Sequence, residues 1–128
     1  MTAIRVLDTV SANNVESVLG DYIDSDQAMW LIASEDAFGD DDSYLYKGRK
    51  DYYIYYEPES GRIIPLEMDG NDAYDNARSN VSIFFNSTNQ NFPLMYKLLN
   101  MPSIRQRYLA HMRTIVKDEL DTIEDFSI

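Results

Sequence analysis

Two groups of closely spaced acidic residues could carry chemistry in this 128-residue chain. The first has three consecutive aspartates and the second has three carboxylates within six positions: Asp40, Asp41 and Asp42, then Glu67, Asp69 and Asp72. Crowded carboxylates repel one another unless they lie in solvated loops or a cation neutralises them. Carboxylate oxygens are the ligands that Mg²⁺ and Ca²⁺ prefer. The sequence therefore leaves two alternatives, a pair of solvated loops or a divalent metal site.

The segment between the two groups has the pattern of a β-hairpin. Residues 52–57 (YYIYYE) and 62–67 (RIIPLE) are rich in aromatic and β-branched side chains, and Pro58-Glu59-Ser60-Gly61 has the composition of a turn. Pro65 cannot donate a ladder hydrogen bond, which predicts an edge strand. The open end of an antiparallel hairpin brings residues near 51 and 67–69 to about one strand spacing, ~5 Å. We therefore expect four carboxylates to converge on one metal site: Asp42, Asp51, Glu67 and Asp69.

The EF-hand is excluded as the source of such a site by spacing alone. A loop that begins at Asp40 would need glycine at its sixth position and has Leu45 there. A loop that begins at Glu67 would need glutamate at its twelfth position and has Arg78.

Helical patterns surround the predicted hairpin. Asn13 or Asn14 can cap a helix that extends to Ile23, and Asp24 with Gln27 forms a capping-box pattern for a second helix. This second helix is apolar on nearly all sides up to Ala37, which predicts burial, and Gly39 ends it. Residues 1–12 show little pattern, and residues 70–91 form a long polar loop.

Two prolines predict where the last helices begin. Pro93 begins a helix that Asn100 ends, and Pro102 begins the longest helix, about 102–120. The fold class is therefore α+β, mainly helical with a central β-hairpin, and the length predicts a single domain over 1–128. Three expectations about side chains follow. Trp30 lies in the core, His111 lies on the surface, and the tyrosines from Tyr44 to Tyr55 pack in strands.

The composition limits the classes of molecule that the chain could bind. The chain has 11 basic and 22 acidic residues, a formal net charge of −11, which opposes binding to nucleic acid. The basic residues near the C-terminus fall on predicted helices and indicate a solvated face: Lys97, Arg105, Arg107, Arg113 and Lys117. No apolar run is long enough for a membrane span, no signal-peptide pattern is present, and cysteine is absent.

Several motifs together resemble a known family. The segment from Trp30 through FGDDDSYLYKGRKDYYIYYEPESGRIIPLEMDGN, followed by YKLLNMPSIRQRYLAHMRTIV, is similar to the CotH kinase family, the spore-coat-protein-H-like atypical protein kinases. Members have a buried helix that ends in Gly-Asn-x-Asp-Ser, a Tyr-Tyr-x-Tyr hairpin, a Pro-x-Asp-x-Asp motif and a later Pro-x-x-Arg-x-x-Tyr helix. The resemblance covers about 25–120.

The resemblance implies a kinase-like fold that phosphorylates protein hydroxyls from ATP with Mg²⁺ or Mn²⁺. It gives Asp42 the position of the catalytic aspartate and makes Asp51, Glu67 and Asp69 the metal ligands. Two positions depart from the family pattern, because Glu67 replaces an aspartate and Asp40 replaces an asparagine.

A kinase also needs a glycine-rich loop and a lysine that holds the phosphates. The 24 residues before the buried helix carry no such pattern, so we expect the C-terminal lobe of a CotH-like domain that is inactive alone, with a parent that takes ATP and a protein substrate. The alternative is a non-enzymatic extracellular interaction module that Ca²⁺ stabilises and that binds through the tyrosine hairpin.

Overall fold

The computed structural model of the chain describes residues 3–11, 14–48 and 52–120. In chain order its helices and strands are α1 (Ala3–Thr9), α2 (Val15–Leu19), α3 (Ser25–Ala37), α4 (Tyr44–Lys47), β1 (Tyr52–Glu57), β2 (Arg62–Glu67), α5 (Pro93–Leu98) and α6 (Pro102–Ile115). Two 3₁₀ turns, Gly70–Asp72 and Asn76–Arg78, lie in the long loop, and a π-helical turn, Val116–Leu120, follows α6. The predicted α+β, mainly helical class is confirmed.

Helix α3 is the centre of the core, as its sequence predicts. Ala28, Met29 and Ile32 are fully buried, and α3 packs along α6, which buries Ile104 and Tyr108. The predicted cap is confirmed, since the Asp24 carboxylate accepts a 3.1 Å hydrogen bond from the Gln27 N–H. Gly39 follows the helix with φ +58°, the left-handed conformation in which glycine usually ends a helix.

The hairpin has the predicted boundaries. Its antiparallel register runs from Tyr52 opposite Glu67 to Glu57 opposite Arg62, and Gly61 in the turn has φ +72°. Pro65 belongs to a two-stranded sheet, in which each strand is an edge strand as predicted. The carboxylates near 67–69 therefore lie at the open end of the hairpin.

Strand β2 also joins the segment that precedes α3, which corrects one predicted helix. The Ile63 N–H donates to the Tyr22 carbonyl at 2.7 Å, and the Asp24 N–H donates to the Ile63 carbonyl at 2.9 Å. The predicted helix through Ile23 is therefore too long. Helix α2 ends at Leu19 because the backbone on both sides of Ile23 pairs with β2 instead.

Two short helices and several side-chain environments differ from the sequence prediction. Helix α1 was not predicted, although it buries Ala3 and Val6. Helix α4 was predicted as strand-like, yet Tyr44 and Tyr46 lie buried on one helical turn that ends at Gly48.

The strand tyrosines also depart from the prediction that they pack in the sheet. Tyr52 does pack, with its ring edge-on to Tyr44 at 5.6 Å, but Tyr53, Tyr55 and Tyr56 are exposed. Tyr53 and Tyr55 are exposed because no described element covers the outer face of this two-stranded sheet, whereas Tyr56 lies on the domain-facing side near its turn.

The two C-terminal helices begin at the prolines that predicted their first residues. Pro93 and Pro102 are the first residues of α5 and α6. The predicted solvated basic face is confirmed for Arg107, Arg113 and Lys117, whereas Lys97 and Arg105 are half-buried. The Lys97 ammonium donates to the Val10 carbonyl, and the Arg105 guanidinium lies over the Phe84 ring. Among the helices of the described ranges, none has the length and apolarity that a membrane span requires.

Candidate functional site

The two acidic groups lie side by side because two loops are joined through their backbones. The loop after α3 (38–42) accepts hydrogen bonds at the Phe38 and Gly39 carbonyls from the N–H groups of Tyr74 and Asp75, at 2.6 and 3.2 Å. In the other direction, the Asp41 N–H donates to the Asp72 carbonyl at 3.3 Å. The aspartates that follow α3 are thereby held beside the segment that leaves the hairpin.

A cavity of ≈390 Å³ opens between these two loops. Three carboxylates reach it, from the last turn of α3, the following loop and the end of β2: Glu35, Asp40 and Glu67. Its remaining lining is mostly apolar or small, with Phe38 and Tyr74 as its two aromatic side chains. The rings of Phe38 and Tyr74 meet edge to face at 5.8 Å. The cavity is therefore acidic on one side and aromatic on the other.

Glu35 is the most unusual of the three carboxylates. Its side chain is 1% exposed, and its Oε2 accepts a 2.8 Å hydrogen bond from the Leu45 N–H, while no described residue pairs with its Oε1. The pKa of Glu35 is raised to about 8, mainly by burial and also by the nearby Glu67 and Asp40, while the Leu45 hydrogen bond opposes the rise. At neutral pH the group is therefore mainly protonated in the folded chain.

Asp42, the predicted catalytic residue, lies in the loop just before α4 and contacts a lysine of that helix. Its Oδ1 is 2.8 Å from the Lys47 ammonium, which also lies 3.0 Å from Asp41 Oδ2. The hydrogen bonds that Lys47 donates to Asp42 and Asp41 raise the pKa of Lys47, so this side chain stays cationic. Hydrogen bonds from Lys47 and Arg78 lower the pKa of Asp41. Two cations therefore neutralise part of the negative charge of the acidic loop.

The predicted metal ligands are placed differently from one another. Glu67 lines the acidic cavity and accepts the Met68 N–H at 3.2 Å. Asp69 is exposed in a left-handed conformation (φ 57°, ψ 59°) at the start of the first 3₁₀ turn. Asp51 lies outside the described residues. In the ranges that the structure describes, no three His, Asp or Glu side chains are grouped as a metal ion would need. The convergence of all four carboxylates stays a prediction.

Comparison with known families supplies the classification. The family model of the CotH kinase protein matches residues 1–125, nearly the whole chain. The chain belongs to the CotH kinase protein family. Comparison with curated proteins finds no match, and comparison with solved structures finds none either. The match extends beyond the 25–120 region in which the motifs resemble the family.

Two of the positions that match the CotH kinase motifs, Asp40 and Glu67, lie close together in this fold. The aspartate triplet, which replaces the motif after the buried helix, lies in the loop that the 72–75 segment holds. Asp40 lines the same cavity as Glu67, which stands at the first acidic position of the Pro-x-Asp-x-Asp motif. These are also the two positions at which this CotH protein departs from its family pattern. The chemical roles of Asp42, Asp51, Glu67 and Asp69 stay predictions.

A buried polar network behind the loop was not anticipated from the sequence. The Tyr108 hydroxyl lies 2.9 Å from Asp36 Oδ2 and 2.6 Å from the Ile83 carbonyl, and Tyr46 donates to Asp36 Oδ1 at 3.3 Å. Burial raises the pKa of Asp36, although the two tyrosine hydrogen bonds lower it in part. The network joins α3, α4 and α6 behind the acidic loop. Asp36 and its neighbour Glu35 could have been noticed as the two carboxylates in an otherwise apolar helix end.

His111 was predicted on the surface, and the structure corrects this. Its ring stacks on Trp30 with centroids 3.9 Å apart, its Nε2 lies 2.9 Å from Asp26 Oδ1, and its side chain is only 14% exposed. Trp30 is half-buried and packs against the core, as predicted, with His111 over its face. Asp26 lies in the first turn of α3, whereas the acidic loop follows its last turn, so this pair is at the other end of the helix.

Proposed function

We propose that this chain forms the acidic, metal-holding part of a CotH-type protein kinase, which transfers the γ-phosphoryl group of ATP to a protein hydroxyl. The observation that carries the proposal is the set of backbone hydrogen bonds between 38–41 and 72–75, which places the aspartate loop beside the end of the hairpin. Phosphoryl transfer depends on such positioning of charge around the phosphates and the acceptor. Family membership supports the same reaction class.

In this proposal Asp42 orients the acceptor hydroxyl and accepts its proton. The acceptor oxygen bonds to the γ-phosphorus while the bond to the β,γ-bridging oxygen breaks, and ADP leaves. Lys47 holds the Asp42 carboxylate through its 2.8 Å contact and offsets the neighbouring negative charge of Asp41. Glu35 accepts the Leu45 N–H, which fixes α4 and therefore the Asp42–Lys47 pair.

The proposed ligands are all carboxylates, which suit a hard divalent cation. Asp51, Glu67 and Asp69 would hold Mg²⁺ or Mn²⁺, and all three supply carboxylate oxygens. Asp40 and Glu67 line one cavity with Glu35, whose buried Oε1 has no partner among the described residues, and this placing of acidic groups supports a cation there. The ion would neutralise the phosphate charge as the bond breaks. Ca²⁺ is the alternative ion, because it accepts the same ligands with looser geometry.

Residues 1–128 alone are expected to bind ATP weakly and to transfer phosphate at a negligible rate. The net charge of −11 repels a nucleotide polyanion. Two cations beside the aspartate loop in the described structure, Lys47 and Arg78, are both engaged by Asp41. Neither is therefore available to bind phosphate without losing an existing partner.

Transfer of radiolabelled phosphate by the natural protein that carries residues 1–128 tests the proposal. We expect transfer that requires Mg²⁺ or Mn²⁺ and that Asp42→Asn lowers by about 10²–10⁴-fold, the usual contribution of a general base. Asp21→Asn, a change at an exposed aspartate before α3, is the matched control and should leave transfer unchanged. An active Asp42→Asn protein would remove Asp42 from its role. Absence of metal-dependent nucleotide binding would favour the non-enzymatic module.

A further inference from the structure

Among the residues that the structure describes, strand β1 has a backbone edge without a strand partner, as the hydrogen bonding of β2 shows. Both backbone groups of Ile63 bond outward, to Tyr22 and Asp24, so Ile63 and its cross-strand neighbour Tyr56 are not a hydrogen-bonded pair. Ladder bonds alternate along an antiparallel pair, and Pro65 has no N–H to give Ile54. The N–H and C=O groups of Ile54 and Tyr56 therefore point away from β2, and no described backbone segment accepts or donates to them.

This edge lacks the devices by which proteins usually block unwanted strand pairing. Residues 52–56 contain no proline, glycine or charged side chain, and the strand pairs with β2 residue for residue, without a bulge. Ile54 and Tyr56 are 60% and 59% exposed on the side that faces the domain, while Tyr53 and Leu66 are exposed on the outer side. An exposed, regular, apolar edge of this kind is a site for an added strand.

An apolar groove lies directly beside the edge. Its volume is ≈250 Å³, smaller than a site for a drug-sized ligand and suited to one large apolar side chain. Ile54 and Pro65 form its hairpin wall, and α1 and α5 form the opposite wall through Ile4, Leu7 and Leu94. A strand that paired with Ile54 would point alternate side chains towards this groove. Main-chain bonds and a side-chain pocket are the two parts of strand-addition sites.

The charges around β1 indicate which kind of partner strand could pair with its edge. In the sequence, acidic residues outnumber basic ones at both ends of the hairpin: Glu57 and Glu59 against Arg62 at the turn, and Asp51, Glu67 and Asp69 against Arg49 and Lys50 at the open end. Two copies of the chain that paired antiparallel through β1 would bring the acidic turn of each towards the acidic open end of the other, in chains that each carry −11. A second copy of the chain is therefore a poor partner for this edge. A strand with basic residues at both ends is a favourable one.

We propose that the free edge of β1 binds an extended segment of a partner protein, with apolar residues at its centre and Lys or Arg at its ends. The apolar centre pairs with Ile54 and Tyr56 and fills the groove. The basic ends lie near Glu57 and Glu67. This surface is separate from the proposed transfer of phosphate, and the proposal does not depend on it.

Binding of a labelled strand peptide tests this proposal on residues 1–128. The probe is a fluorescein-labelled peptide of about ten residues with alternating Val and Thr and two lysines at each end, a length matched to a β-strand. Fluorescence anisotropy should show saturable binding that weakens with added salt. A peptide with glutamates at the ends, and one N-methylated at alternate residues, should bind at least about ten-fold more weakly, because they lose charge pairing and main-chain bonds respectively.

Two lysine substitutions distinguish peptide binding at the β1 edge from binding elsewhere on the hairpin. Ile54→Lys adds a charge at the groove and should weaken binding by about ten-fold or more, as expected for loss of one buried apolar side chain. Tyr55→Lys adds the same charge on the outer face, so it should change binding much less. If circular dichroism shows that Ile54→Lys is unfolded, Tyr56→Lys at the same edge replaces it. Amide exchange at Ile54 and Tyr56 should slow when the peptide binds.

Three results would overturn the proposal. The first is absence of saturable binding by the lysine-flanked peptide, and the second is equal weakening by Ile54→Lys and Tyr55→Lys. The third is self-association of residues 1–128 in sedimentation experiments that Ile54→Lys abolishes, which would make a second copy the occupant.

Discussion

Replacing Glu35 by glutamine tests whether the carboxyl group at the base of the acidic cavity is protonated in the folded protein. Glutamine has the same shape, keeps a carbonyl oxygen for the Leu45 N–H and cannot ionise. The folded protein should therefore lose a pH-dependent destabilisation while it retains the contact that fixes α4.

The size of the effect follows from the pKa of Glu35 in the two states. Its ordinary value is 4.5, and burial raises it to about 8 in the fold. Because the folded pKa is the higher one, the unfolded chain releases this proton first, and stability falls as pH rises from 4.5 to about 8. Each pH unit in this window costs about 1.4 kcal/mol, which gives about 3 kcal/mol at pH 7.

Urea unfolding followed by circular dichroism measures this difference. Glu35→Gln should be as stable as the wild type near pH 4.5 and more stable by about 3 kcal/mol at pH 7, an increase of roughly 1.5 M in the urea midpoint. Other titrating groups are common to both proteins, so they cancel in the comparison. Glu59→Gln, in the exposed hairpin turn, is the matched control and should show little difference at either pH. A Glu35→Gln effect of equal size at both pH values would refute the reasoning.

Three further changes test the turn, the buried network and the metal site. Gly61→Val should destabilise the fold by about 1–2 kcal/mol because φ is +72°, whereas Gly70→Ala, with ordinary φ and open space, should have little effect; equal melting temperatures for both variants would argue against this turn geometry. Tyr108→Phe should cost about 1–3 kcal/mol in urea unfolding, because Asp36 and the Ile83 carbonyl lose a buried partner, and an unchanged midpoint would contradict that assignment. Millimolar Mg²⁺, Mn²⁺ or Ca²⁺ should raise the melting temperature, and Asp69→Asn should reduce the gain; a melting curve that no metal shifts would count against the convergent site.

Signals that lie within a few residues of one another predicted their elements well. Both hairpin strands, the Asp24 cap and the proline starts of α5 and α6 agree with the structure. Each depends on local backbone chemistry: alternation and turn residues, a side chain that accepts the third N–H, or a ring that fixes φ. The separate metal-ligand assignments did not have such a local basis, and they stay predictions.

Elements whose backbone or side-chain partners are distant in sequence were predicted poorly. Ile23 has a helical pattern with Leu19, but the backbone around it pairs with Ile63, forty positions later. Tyr44 and Tyr46 have strand-like composition, yet burial against α3 and α5 accompanies a helical turn there. Periodicity and propensity do not include such contacts, and tertiary packing overrides them.

The sequence by itself determined the fold class, the hairpin with its acidic ends, and the motifs that indicate a CotH kinase protein, because each is a property of residue order. Only the tertiary structure decided which carboxylates share a cavity. Glu35, Asp40 and Glu67 come together through hydrogen bonds between two loops that lie more than thirty positions apart, and burial then makes Glu35 a neutral acid. A carboxyl pKa depends on the surrounding dielectric and charges, which exist only once the chain has folded.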